Sequence, residues 1–166
     1  WKAFRLLKVR LRNCPGPLKL HSLKAIETRH PFQEAGGFEC SDSRLQNIFD
    51  ICRETVQLCS NECLMDTPWR EQAQWLGDIA LVHVPAIHAC FGDTRLTGKF
   101  IRQSAVNQHP TGLLSNVSNT VNHAWQAAIP DYSLWWLRAL WGYYLYTGEG
   151  RWIHRYYPEA LRILHA

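Results

Sequence analysis

Asp66-Thr-Pro-Trp-Arg-Glu-Gln-Ala-Gln-Trp-Leu-Gly-Asp78 organises everything on either side of it. These thirteen residues hold three carboxylates, one arginine and two tryptophans. The mixture suits chemistry on a sugar. Carboxylates move protons and bind hydroxyls, aromatic faces stack on sugar rings, and an arginine fixes a carboxylate or a hydroxyl. A solvated surface run would carry Lys and Glu in place of two Trp. A core run would not carry four charged groups, because unpaired buried charge is costly.

The flanks read as helix. Upstream, Ser41 is the expected N-cap, with Asp42 in the first turn. Leu45, Ile48, Phe49, Cys52, Val56 and Cys59 follow at helical spacing, giving a helix over about 42–60. Residues 61–75 carry no helical stripe and contain Pro68, so they read as a loop held at the end of a rigid helix. Downstream, about 76–91 is apolar nearly all round and reads as a buried helix, with Pro85 as a kink. Gly92-Asp93 ends it, and a third helix runs to about Gln108. Residues 113–130 look irregular. Pro130-Asp131 opens a fourth helix, Thr147-Gly-Glu-Gly150 turns the chain, and a fifth helix runs to the end. Long helix, turn, long helix recurs, which suits a helical toroid or bundle.

The beginning differs. Residues 3–13 alternate apolar with basic groups, as a half-buried strand does, and 18–28 read as a second strand after the Cys14-Pro-Gly-Pro17 turn. Pro31 to Gly37 reads as a connector in which Gly36-Gly37 permits a tight bend. The net charge of +4 is spread along the chain, which argues against nucleic-acid binding. No apolar run reaches membrane-spanning length. The chain opens on Trp1 with neither Met nor a secretory leader, so a piece of a longer protein is expected.

The six cysteines form no CxxC pair and read as buried thiols acting as small hydrophobes, leaning towards a reducing, cytoplasmic setting. His83, His88 and His123 lack zinc-ligand spacing. No metal or cofactor is called for. Asn116-Val-Ser118 fits a glycosylation acceptor.

The pattern Asp66-x-Pro-x-Arg-Glu-x-x-x-Trp-x-Gly-Asp78 resembles the signature of bacterial α-L-rhamnosidases of glycoside hydrolase family 78. Phe38-Glu-Cys-Ser-Asp42, Ile129-Pro-Asp-Tyr-Ser133, Tyr146-Thr-Gly-Glu149 and Tyr157-Pro158 resemble further landmarks of that family, in the right order. The resemblance implies a mainly α fold: about the first half of an (α/α)6 barrel over 38–166, with 1–37 as the end of a β-rich domain and linker. It implies an inverting hydrolysis of terminal α-L-rhamnosides, a rhamnose-containing oligosaccharide or glycoside as partner, and the remainder of a parent chain. Glu71 matches the general acid. Asp66, Arg70, Trp75 and Asp78 match sugar-binding residues, and Asp131 joins them as a pocket candidate. The general base matches nothing here. Thr67, Trp69 and Gln72 depart from the family pattern on the acceptor side.

Each role has a plain structural rival. Glu71 can be an ion-pair partner of Arg70, Asp66 a turn residue, Asp78 the cap of a helix beginning near Ile79, Trp75 core, and Asp131 a helix N-terminal charge. Trp125 divides between pocket and core, whereas Trp135, Trp136 and Trp141 sit on a helical stripe and read as core. Two other functions stay open: a related barrel glycosidase with another sugar preference, and a non-catalytic carbohydrate-binding fragment.

Overall fold

The computed structural model describes residues 3–118 and 127–166. His123 and Trp125 lie outside them. Among the described residues, five helical segments follow the motif-centred plan: α1 Ser43–Leu58, α2 over residues 76–90, α3 Arg95–Val106, α4 Pro130–Thr147 and α5 Gly150–Leu164.

The N-cap of α1 is Asp42 rather than Ser41. The Asp42 carboxylate accepts from the Arg44 backbone N–H at 2.9 Å and from its guanidinium. Asp is a strong cap, and the arginine two residues on decides between two adjacent candidates. Helix α2 is continuous but not uniform. Leu76–Asp78 and Val84–Cys90 are α-helical, and Ile79–His83 between them is a π-helical turn. Val84 N–H reaches back to the Ile79 carbonyl. Pro85 has no N–H to give, so the distortion expected there is taken up as a widened turn just before it. Pro130 occupies the first turn of α4, and Gly148, at φ 70, ends that helix with its N–H on the Tyr144 carbonyl at 2.8 Å.

One core lies between α2, α3, α4 and α5. Leu76, Ile79, Ile87, Phe100, Ile101, Leu114 and Trp136 are completely buried in it. Trp136 spans from α4 to α3 and donates its indole N–H to the Ile101 carbonyl at 3.2 Å. Gly98 on α3 lets Trp152 of α5 close in, since a Cβ there would sit 3.0 Å from the indole.

Several expectations are corrected. Residues 3–28 form no β ladder among the described residues, and Leu6, Leu7, Val9, Leu11, Leu20 and Ile26 are exposed. Alternation marks the faces of a strand, but a strand exists only against a hydrogen-bonding neighbour. Helix α1 buries only Val56 of its stripe, and Leu45, Ile48 and Cys52 face outward. The buried-thiol reading therefore holds for Cys59 and Cys90 but not for exposed Cys14, Cys40 and Cys52. Leu81 and Val82 leave one side of α2 open, and Trp141 is 53% exposed, so neither is wholly core.

The connector is pinned rather than bent. His30 bonds Asp93 at 2.8 Å while its backbone N–H meets the Ser60 carbonyl, and Arg95 clasps the same Asp93. Ala35 and Gly36 N–H groups both reach the Cys90 carbonyl. Gly36 is needed for close approach, because a Cβ there would lie 1.8 Å from the Ala89 carbonyl oxygen.

Buried His83 and His88, both with pKa values lowered by burial, and the paired Asp93 set an acid sensitivity. His88 is 8% exposed against Tyr146, and burial pushes its imidazole down from 6.5 to about 4. Arg95 holds the Asp93 carboxyl well below the usual carboxylate range. Between the unfolded and folded values of His88, only the unfolded chain takes up the proton, so stability falls as pH drops through that window. Asp93 acts lower: its contribution is present above 3.8 and is lost on further acidification. Unfolding free energies from urea titrations should therefore decline from about pH 7 to about 4.5, by about 2–3 kcal/mol from His88, and less steeply in His88→Phe. A pH-independent unfolding free energy over that range would contradict this account.

Candidate active site

The motif folds into a closed loop between α1 and α2. Asp66 N–H donates to the Ala73 carbonyl at 2.9 Å, and Ala73 N–H donates to the Asp66 carboxylate at 3.0 Å. Inside this ring, the Gln72 amide donates to the Pro68 carbonyl at 2.9 Å, and Gln72 itself holds φ 55. A left-handed non-glycine residue is a costly local geometry that neighbouring bonds must maintain. It reverses the chain directly after Glu71, whose side chain turns back to Asp66 and is 21% exposed.

Glu71 is paired with Arg70, whose side chain is 80% exposed. The ion-pair reading of Glu71 thus describes a real contact. Asp66 is likewise used in closing the loop. Burial raises its pKa most; the N–H groups of Ala73 and Thr67 oppose this, and the like-charged Glu71 adds to it. Asp66 thus lies partly out of water beside a second carboxyl.

Asp78 does not cap a helix at Ile79. Its backbone is already helical, its side chain makes no cap bond, and α2 begins two residues earlier with Trp75 as N-cap. Its carboxylate instead accepts the Tyr132 hydroxyl at 3.2 Å. Tyr132, in the first turn of α4, draws the rest together. Burial raises its pKa most, and the charges of Asp78, Asp131 and Glu71 all act in the same direction. Glu71, Asp78 and Asp131 therefore share one neighbourhood, reached from a loop, from α2 and from α4. Asp131 is exposed beside Pro130. Trp75 is half-buried, and its backbone bridges Val117. Trp69 points outward, 67% exposed.

Sequence reasoning missed three residues. Gln74 is completely buried. Its carbonyl accepts from Leu64 N–H at 3.3 Å, and its amide donates to Ser118 Oγ at 2.6 Å and Gln103 Oε1 at 3.1 Å. It ties the loop to α3 and to the 114–118 segment. Its only signal was an uncharged polar residue between Ala73 and Trp75. Tyr132 was quoted as a landmark but given no role. Asn116, read as a glycosylation acceptor, is 5% exposed, accepts from Ile129 N–H at 2.8 Å and offers its carbonyl to Leu76 N–H. Buried and fully engaged, it is a structural tie, which corrects that reading. Among the described residues no three His, Cys, Asp or Glu side chains gather as metal ligands. No helix among them is long and apolar enough to cross a membrane.

Residues 33–166 match the bacterial alpha-L-rhamnosidase 6 hairpin glycosidase domain. Among solved structures, the chain is similar to a family 78 rhamnosidase of Bacillus sp. GL1, with 28% identity and a TM-score of 0.73 over 82% of this chain and 14% of that one. A rhamnosidase from Klebsiella oxytoca with rhamnose bound gives 22% identity and a TM-score of 0.67, over 84% of this chain and 26% of that one. An α-L-rhamnosidase from Dictyoglomus thermophilum gives 21% and 0.70, over 81% and 15%. The chain thus spans 14–26% of the length of these structures. A comparison with curated proteins found no match.

Proposed function

The chain belongs to the bacterial α-L-rhamnosidase six-hairpin glycosidase domain family, and from that premise we propose that it carries the general-acid half of an inverting α-L-rhamnosidase site. The observation that carries this reading is the Asp78 carboxylate held by the Tyr132 hydroxyl at 3.2 Å, with Glu71 on the adjoining loop that Asp66 closes. A glycosidase needs one carboxyl to protonate the leaving oxygen and others to hold hydroxyls.

Glu71 is the acid. It is the carboxyl on the reversed loop, partly shielded, with Asp66 beside it. Its Arg70 partner is mostly exposed, so opening that pair costs little in water. In the proposed cycle the guanidinium swings aside when the acid is charged with its proton, then steadies the carboxylate left after transfer. Asp78 and Asp131 hold sugar hydroxyls, Asp66 both closes the loop and faces the sugar, and Trp75 lines the pocket wall. The substrate is a rhamnose-containing oligosaccharide or glycoside. Activation of water on the opposite face falls to a second carboxylate about 6.5–9.5 Å away, supplied by the remaining hairpins of the parent. Residues 1–37 are then the end of a β-rich domain and linker, in keeping with the strand-like alternation of residues 3–13.

The test is hydrolysis of aryl α-L-rhamnoside by the full-length parent, with other aryl glycosides alongside and the product anomer followed by NMR. Release from the rhamnoside with inversion is expected, and no turnover by residues 1–166 alone. Retention of configuration, or preference for another sugar, would overturn the mechanism or the specificity respectively.

A further inference from the structure

We propose that Tyr132 is a positioning residue that orients Asp78 and so selects which sugar hydroxyl the site holds; this rests on the reading above. Asp78 is exposed on α2 and, left alone, would rotate freely. The Tyr132 hydroxyl donates its single proton to Asp78 Oδ2 at 3.2 Å. That bond fixes the plane of the carboxylate and leaves Oδ1 to accept from a ligand hydroxyl. The phenol oxygen, having given its proton, retains lone pairs for a second ligand donor.

The placement is built into the backbone. Gly77 lies under the ring, and a Cβ on it would meet Tyr132 Cδ1 and Cε1 at 2.5 Å. Only glycine lets the start of α4 sit flat against the first turn of α2. The Tyr132 backbone N–H is itself held by the Ile129 carbonyl at 3.1 Å. Ring and carboxylate therefore come from two helices whose approach is fixed, which is how a binding group is held without a mobile loop. Burial, Asp78, Asp131 and Glu71 all keep the phenol protonated, so it stays a donor across any working pH.

The experiment pairs Tyr132→Phe with a set of aryl α-L-rhamnosides lacking one ring hydroxyl each, in the full-length parent. Phenylalanine keeps the ring over Gly77, so folding is preserved. A hydrogen bond to a charged group is worth about tenfold or more in kcat/KM. The variant should lose about that on the complete sugar, but less than about twofold on the one deoxy substrate whose missing hydroxyl is the one Asp78 holds. Such non-additivity identifies a shared contact, which a merely structural role would not give. Equal losses on every substrate, or none on the complete sugar, would overturn the proposal. Inactivity of the unmutated parent on all rhamnosides would sink the functional reading, and this inference with it, before the variant is made.

Discussion

Glu71→Gln in the full-length parent lowers kcat on rhamnosides with an alkyl or sugar leaving group by about 10²–10⁴-fold, the range that general acid catalysis supplies. The amide keeps the shape of the carboxyl and the Asp66 neighbourhood but has no proton to transfer. The loss should depend on the leaving group. An acidic phenol departs without protonation, so nitrophenyl rhamnoside should lose much less than a rhamnosyl disaccharide. Binding of free rhamnose, read as an inhibition constant, should stay within about threefold, since transition-state protonation and ground-state binding are separate contributions. A uniform loss across leaving groups would assign Glu71 to binding, and unchanged turnover would remove it from the chemistry.

Gln74→Leu destabilises the chain by about 2–4 kcal/mol, although leucine suits the burial of the position. The glutamine is completely buried and satisfies Leu64 N–H, Ser118 Oγ and Gln103 Oε1. Removing its amide strands a backbone donor inside the fold, and each orphaned group costs about 1–3 kcal/mol. The same change frees the motif loop from α3 and from residue 118, so kcat/KM in the parent should fall with stability. Thermal unfolding and kinetics on one preparation test both. A shift in stability below about 1 kcal/mol would show that Gln74 is not the pin.

These two residues stand three apart and differ in how legible they are. Glu71 announces itself through charge, position in a loop, and a family signature. Gln74 has no pattern, because its value lies in partners 10, 29 and 44 residues away. The same contrast separates Asp78 from Tyr132. The carboxylate reads as a site residue or a cap, and only the packing of α4 against Gly77 brings in the hydroxyl that it accepts in place of a cap bond. For α1, apolar periodicity gave the helix almost to the residue, yet half of its stripe is exposed here. Periodicity records which face is meant for burial; it does not supply the surface that buries it.

By itself the sequence determined the helix order, the breaks at Pro130 and Gly148, the loop status of 61–75, and the family, because these rest on local propensity and contiguous motifs. The tertiary structure alone decided that residues 3–28 form no β ladder among the described residues and that Asn116 is buried. It also decided that the Tyr132 hydroxyl meets Asp78. The physical reason is range. Backbone propensity acts over a few residues and is written into adjacent side chains. Burial, close approach at a glycine and the meeting of carboxylates depend on distant segments sharing the same space.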